Sequence, residues 1–380
     1  MVVLKIFTSS IYAAVAFIMG YHRKGEVRKE RMELVKKFFG IIGVFILVWA
    51  IISGIFMFFT DSGYRLRAMA AETILSSQHR QWAKYTFLPQ SDLDAMLENI
   101  NNPNYVNSAS GAGDLGGLVD VKSDKDLYVH VESIERYTNP THYYKGKVIT
   151  ISNPNRVKLV SSKLSDHGEQ IFVIAKRAKA LAAINASGFV DLDGHGNGGA
   201  STGVVIEDGV IKSQNKNTKE FVAGITKDGV MITGKYSANE LVNLGVQYAA
   251  GFKPQLIVNG QKMVEGDGGW GWGPRTAIGQ KADGSIIFVV IDGRQTRSVG
   301  ASIKEVQDLL YERGAVNAMC MDGGSSSSMY FNGDNITIPS SRNNIPRYLP
   351  NIWALIPQAG DTLHVDVDGK SVTSFEGLGL

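Results

Sequence analysis

Hydrophobic and polar positions divide this chain into two regions with different patterning. Residues 38–59 are almost uninterruptedly apolar, broken only by Gly40, Gly43, Ser53 and Gly54. That run exceeds the ~20 residues needed to cross a bilayer, so it predicts a transmembrane helix. Ahead of it Arg23, Lys24, Arg28, Lys29, Arg31, Lys36 and Lys37 form a basic segment. Basic residues stay on the cytoplasmic side, which sends everything after Thr60 to the outside. Residues 6–20 are also apolar but short, with Thr8, Ser9, Ser10 and Tyr12, and read as a first crossing or an interfacial stretch. No small-residue cleavage site follows Phe59, which favours an uncleaved anchor.

Beyond the anchor the periodicity becomes that of a globular domain. Residues 64–87 have helical character, and Ser91 and Asp92 can start a short helix reaching Ile100. Residues 101–117 have the Asn, Gly and Ser composition of a flexible linker. Short β-branched runs then predict strands at 127–134, 147–151 and 157–160. Asp208-Gly209 and Asp228-Gly229 beside residues 204–207 and 230–233 predict hairpins.

Residues 285–291 and 315–321 are strongly apolar, and between them lies a segment with helical spacing. Ser302 and Glu305 have capping-box spacing, Ile303, Val306, Leu309 and Leu310 form a stripe, and Gly314 stops the helix. Strand, helix, strand predicts a βαβ unit with parallel strands, adjacent or with one strand between them. A second helix, capped by Asp166 and Glu169 and carrying Ile171, Phe172, Ile174 and Ala175, leads into the apolar residues 181–184. The fold class is therefore mixed α/β (α+β), richer in strand than in helix. The domain reading is an apolar and basic N-terminal segment (1–37), an anchor (38–60), a stalk and linker (61–118), a catalytic-sized domain (119–358) and a C-terminal tail (359–380).

Three apolar runs end in a polar residue: Asn185, Asp292 and Asp322. Turn preference accounts for any one of them, but the three together, with Asp292 and Asp322 at the carboxyl edge of one sheet and Arg294 and two glycines alongside, favour a ligand site. Gly323 and Gly324 allow close backbone approach, Ser325 offers a hydroxyl, and Arg294 follows Asp292 by two residues. The segment 268–279 interleaves Trp270 and Trp272 with glycines, then delivers Arg275 and Thr276. Trp faces on a loop stack on sugar rings or plug a core, and a planar guanidinium suits phosphate or carboxylate. Residues 191–197 alternate oxygen ligands with glycine but lack the later bidentate Glu of a calcium loop. A polar hairpin is therefore the preferred reading there, with His195 a further site candidate and calcium the alternative. Glu265 and Asp267 sit near the Trp loop as rim residues or an additional acid.

Pro274-Arg275-Thr276-Ala277-Ile278-Gly279, Asp292-Gly293-Arg294 and Asp322-Gly323-Gly324-Ser325-Ser326 together resemble the phosphodiester glycosidase family. Asn185 to Asp191 resembles that family's Asn-Gly-Gly-Phe-Phe-Asp motif, with Ala186-Ser187-Gly188-Phe189-Val190 in the middle here. The similarity spans roughly 127–357, in the family's order. It implies cleavage of a sugar 1-phosphodiester, N-acetylglucosamine 1-phosphodiester-like, between the anomeric carbon and the phosphate oxygen. Asp292, Asp322 and Asn185 are then the expected catalytic residues. Arg275, Arg294, Gly323, Gly324, Ser325, Thr276, Trp270 and Trp272 are expected to bind sugar or phosphate. No resident cofactor is implied. Transfer of the glycosyl group to a wall or capsule polymer, or glycan binding without catalysis, are the alternatives.

Composition adds two constraints. Cys320 is the only cysteine, so no intrachain disulfide forms, which suits a bacterial surface protein. The net charge of +3 owes much to the basic segment before the anchor and gives no reason to expect a nucleic-acid partner. The expected partners are a sugar-phosphate or polysaccharide substrate and, through the N-terminal anchor, the membrane.

Overall fold

A computed structural model of the chain describes residues 25–77, 79–109, 118–121, 125–139, 142–164, 167–191, 197–213 and 215–376. The apolar stretch 6–20, Asp166, most of the glycine-rich part of the linker and residues 192–196 lie outside the described residues. The chain forms two compact units, 1–66 and 67–380.

The first unit is dominated by the helix Gly25–Phe59. An 18-residue stretch within Met32–Phe59 has a mean hydropathy of 2.7, and none of that stretch is buried. Apolar side chains surround the helix, with Phe39, Val44, Leu47 and Trp49 all exposed. A helix apolar all round has no polar face to turn to water. It is long and apolar enough to be a membrane anchor or a signal sequence.

The second unit is built from sheets. In chain order its strands are β1 (Asp126–Asn139), β2 (His142–Ile151), β3 (Val157–Ser161), β4 (Glu169–Gln170), β5 (Ala182–Asn185), β6 (Val205–Glu207) and β7 (Val210–Ile211). They continue with β8 (Glu220–Thr226), β9 (Met231–Tyr236), β10 (Val246–Gly251), β11 (Gln255–Val258), β12 (Gln261–Lys262), β13 (Arg275–Lys281) and β14 (Ile286–Ile291). The last are β15 (Ala315–Met321), β16 (Met329–Phe331), β17 (Asp334–Asn335), β18 (Tyr348–Leu349), β19 (Asn351–Leu355), β20 (Thr362–Val367) and β21 (Lys370–Val372). Nine of them form one sheet in the order β12-β11-β15-β13-β14-β2-β1-β20-β21. Two five-stranded sheets, β7-β6-β10-β8-β9 and β17-β16-β5-β19-β3, and the pair β18-β4 complete the unit.

The central sheet explains the continuous apolar runs. Ile286, Phe288 and Val290 of β14 face a core shared with β5, β8 and β19. Ile287, Val289 and Ile291 face the helix Ile303–Glu312 through Ile303, Val306, Leu309 and Leu310. A strand covered on both faces has no polar side, so period-two alternation disappears from its sequence. β13 runs between β14 and β15, antiparallel to both, with Arg275 opposite Ile291 and Thr276 opposite Met321. β14 and β15 are thus parallel with one strand between them, and Asp292 and Asp322 leave the same edge. The Ser302–Glu305 capping box closes the helix start as expected.

Two boundaries differ from the expectation. Residues 67–109, read as stalk and linker, pack into the second unit. Ala71, Leu75, Ala83, Leu88, Leu93 and Ile100 join the core on the Ile287–Ile291 face. Their apolar positions form a stripe that would otherwise stay wet. At the C-terminal end the tail forms a strand pair, β20 with β21, that joins the large sheet through β20 parallel to β1, with Asp126 opposite Thr362. The helix before β5 spans Ile171–Ala178 and has no side-chain cap. Glu169 lies in β4 and bonds Arg177 at 2.5 Å instead of capping.

Candidate active site

Asp322 stands at the end of β15, and its surroundings fix its backbone. Its amide donates to the Ala186 carbonyl at 3.0 Å, and its carbonyl accepts from Asn185 Nδ2 at 2.6 Å. Asn185 is fully buried at the end of β5. Its Oδ1 accepts from Thr276 Oγ1 at 2.7 Å and from the Ser328 amide at 3.1 Å. Asn185 and Thr276 therefore lie behind the site, where every polar atom of the Asn side chain has a partner. They hold the Asp322 backbone in place.

The glycine pair shapes the turn after it. Gly324 adopts φ +62° and begins a one-turn 3₁₀ helix, Gly324–Ser326, and its amide donates to the Pro274 carbonyl at 2.9 Å. A Cβ on Gly324 would lie 3.3 Å from Arg294 Nη1, so the bare backbone lets that guanidinium approach. Burial pushes the Asp322 carboxyl up to about 6, while the Ser326 hydroxyl bond and the nearby Arg347 charge pull it down and Asp191 pushes it up.

Sequence reasoning missed one partner and left another unassigned. Arg347 donates to Ser325 Oγ at 3.0 Å and forms an ion pair with Asp191. Its guanidinium also lies 5.1 Å from the centre of the Phe189 ring. Asp191 and Asp322 are thus the coupled carboxylates of the site, with Arg347 between them in charge. The signal for Asp191 was its position six residues after Asn185. Arg347 stands in a loop between Pro346 and Tyr348 with no local pattern to mark it.

Two more cations line the same cleft. Arg294, in the left-handed conformation at φ +57°, is exposed to the cleft and has no ion pair among the described residues. Arg275 is buried, and its Nε and Nη2 donate to the carbonyls of Ala301, Trp270 and Gly271 at 3.0, 2.9 and 2.7 Å. Three bonds to backbone make Arg275 the clamp of the Trp loop. Burial, with the Arg294 charge adding, lowers it to about 10. It stays protonated and contributes positive charge without a carboxylate partner.

Asp292 and Trp272 are not brought to the cleft. The Asp292 carboxylate pairs with Arg297 and accepts from the Ile338 amide at 3.0 Å, and the residue is 6% exposed. It leaves the sheet edge two strands from Asp322, and Arg297 folds back to neutralise it. Asp292 is thus held by its own loop, apart from the residues that line the cleft. Trp272 stacks on the buried His142 ring at 3.8 Å and 14°. Trp270 does line the cleft, 8% exposed, with its ring 6.5 Å from that of Phe252.

The resulting cleft, of about 1400 Å³, is lined by Asp191, Trp270, Arg275, Arg294, Asp322 to Ser326 and Arg347, among others. Among the described residues no group of three or more His, Cys, Asp or Glu is placed to hold a metal ion. Cys320 is buried in the sheet, with its thiol pushed up to about 12 by that burial.

Residues 178–356 match the family described as phosphodiester glycosidase. The SPbeta prophage-derived uncharacterized protein YomE of Bacillus subtilis is 29% identical over 234 residues, covering 56% of this chain and 32% of that protein. Mouse N-acetylglucosamine-1-phosphodiester alpha-N-acetylglucosaminidase is 29% identical over 160 residues, covering 37% of this chain and 31% of its own length. The matched part is about a third of the length of each of these curated relatives. The catalytic domain of the zebrafish enzyme of that name, solved as auto-inhibited by its pro-peptide, superposes with a TM-score of 0.54 at 21% identity. It covers 63% of this chain and 86% of the solved one, and supports the fold.

Proposed function

We propose that this chain, whose residues 178–356 match the phosphodiester glycosidase family, hydrolyses a sugar 1-phosphodiester in the Asp322 cleft. The observation that carries the reading is Arg294, a guanidinium with no ion pair among the described residues, lying against the bare Gly324 backbone in the cleft that Asp322 also lines. A dianionic leaving group needs such a cation, and a phosphate departs without a strong general acid. Arg294, backed by the charge of Arg275, binds the phosphate, with the Gly323–Gly324 backbone alongside. Asp322, as the carboxylate, serves the anomeric carbon and takes the proton of the attacking water. The bond between C1 and the phosphate oxygen breaks, its electron pair leaves with the phosphomonoester, and the water oxygen ends on C1. Arg347 favours the charged form of Asp322, Asp191 holds Arg347 in place, and Trp270 and Phe252 offer apolar faces to the sugar.

The exposed apolar stretch 38–59 of the helix Gly25–Phe59 supports a membrane anchor, with the basic residues ahead of that stretch retained in the cytoplasm and the cleft outside. A surface or exopolysaccharide phosphodiester is the substrate that such a location presents.

The test is turnover of N-acetylglucosamine 1-(methyl phosphate) and related sugar 1-phosphodiesters by the full chain in detergent, read as free sugar and phosphomonoester. Asp322→Asn is expected to lose nearly all turnover with its fold intact, and Arg294→Gln about 10- to 100-fold, the worth of a charge-assisted bond to phosphate. Wild-type turnover in Asp322→Asn overturns the assignment. A product with the sugar on an added glycan and none on water would favour transfer.

A further inference from the structure

The cleft holds a second set of cations that the reaction centre does not use. Arg80, Lys235 and Lys253 all line it. Lys253 Nζ donates to the Asn101 carbonyl at 2.6 Å, and Arg80 Nη1 reaches Asn101 Oδ1 at 3.5 Å, so both converge on one residue. Lys235 Nζ lies 5.5 Å from the centres of the Tyr105 and Phe221 rings. None of the three has an ion pair among the described residues, and Glu220 is the one carboxylate beside them. Lys219, also on the wall, differs, since Glu240 neutralises it at 2.6 Å. Burial lowers the Lys253 ammonium and Arg80 and Lys235 lower it further, with the single Glu220 charge opposing them, so three cations gather here around one carboxylate.

Between this set and Arg275 run Phe252 and Trp270, rings 6.5 Å apart, with Lys253 following Phe252 and Arg275 bonded to the Trp270 carbonyl. Along the wall the order is therefore cation, aromatic faces, cation. The cleft, about 1400 Å³, exceeds the ~300–1,000 Å³ of a pocket for one small ligand.

We propose that Arg80, Lys235 and Lys253 form a second phosphate subsite, and that the substrate is a glycan with phosphodiesters repeated along its chain. One phosphate occupies Arg294 while its neighbour occupies the second subsite, with the intervening sugar on Phe252 and Trp270. This deepens the hydrolase reading and rests on it.

The test compares an oligomer of N-acetylglucosamine 1-phosphate repeats with the single-phosphate N-acetylglucosamine 1-(methyl phosphate), on the full chain in detergent. Arg80 is exposed and Lys235 half-buried, so Arg80→Gln with Lys235→Gln leaves the core untouched. The ratio of kcat/KM for oligomer over single phosphate is expected to fall about 100-fold, tenfold per cation. The salt dependence of oligomer binding should flatten by about two units of slope. An unchanged ratio overturns the proposal. Oligomer binding to the Asp322→Asn chain, measured without turnover, separates the two readings. If wild type cleaves neither probe, the hydrolase reading fails. Binding that favours the oligomer and depends on Arg80 and Lys235 still upholds the subsite, and its absence overturns it. A polyuronate of equal charge that binds as tightly overturns the assignment to phosphate.

Discussion

Replacing Asn185 by Ala tests the mechanical idea behind the site, that a saturated amide holds the catalytic strand end. The side chain is fully buried and makes bonds of 2.6 Å to the Asp322 carbonyl, 2.7 Å from Thr276 Oγ1 and 3.1 Å from the Ser328 amide. Alanine removes it and leaves a carbonyl, a hydroxyl and an amide in a dry interior. Each stranded group costs ~1–3 kcal/mol. Thr276 can turn its hydroxyl, which brings the sum to about 3–5 kcal/mol. Urea unfolding followed by Trp fluorescence should show this as a lower midpoint at unchanged slope. Thr276→Val should cost less, and the double variant less than the sum, because both share one bond. Turnover should fall as well, since the Asp322 carbonyl loses its anchor. A destabilisation of Asn185→Ala below about 1 kcal/mol would refute the reasoning, because buried polar groups cannot be stranded that cheaply.

Three other outcomes follow from the same geometry. Asp322, raised by burial to about 6, acts as the carboxylate, so kcat/KM should rise with pH through about 6 and level off above it, and a profile that falls there would assign it as an acid. Glu72 is raised to about 7 by burial and by the neighbouring Asp267 charge. The folded state holds that proton more tightly than the unfolded one, so stability falls as pH rises from about 4.5 to about 7, and Glu72→Gln should flatten this dependence of Tm. Gly300 has φ +112°, and a Cβ there would lie 2.5 Å from the Gly273 carbonyl carbon, so Gly300→Ala should destabilise by about 3 kcal/mol or more and release the Trp loop, whereas a wild-type Tm would contradict the close approach.

Much of this was legible in the sequence where one local pattern sufficed. Residues 286–291 and 315–321 announce themselves by unbroken β-branched and apolar composition, Ser302 and Glu305 by their spacing, and Asp208-Gly209 by its turn chemistry, with Asp208 at φ 50° and Gly209 at φ 74°. The cleft-lining residues Arg294 and Gly324 were legible for the same reason. What escaped depended on partners far along the chain. Asp292 and Asp322 end similar strands, yet Arg297 claims one and leaves the other open, which no strand-end pattern distinguishes. Arg347 reaches the site from the loop after the helix-like turn Arg342–Asn344, and Thr276 and Asn185 spend their polar atoms on each other. The apolar stripe of 67–100 reads as a stalk because the face that buries it lies almost two hundred residues later.

The central sheet also bears on what can be inherited as a module. The matched family segment begins at 178, yet β14 inside it pairs on its outer side with β2, from Ile286 opposite Ile151 to Ile291 opposite Gly146. Cut at the family boundary, that strand would present a bare edge of six consecutive apolar residues. Such an edge recruits other chains and seeds aggregates. A recombination event that moved only the recognised segment would deliver an insoluble product. The piece that can travel between genes must carry the β1–β2 hairpin with it, so the heritable unit is larger than the stretch by which relatives are detected.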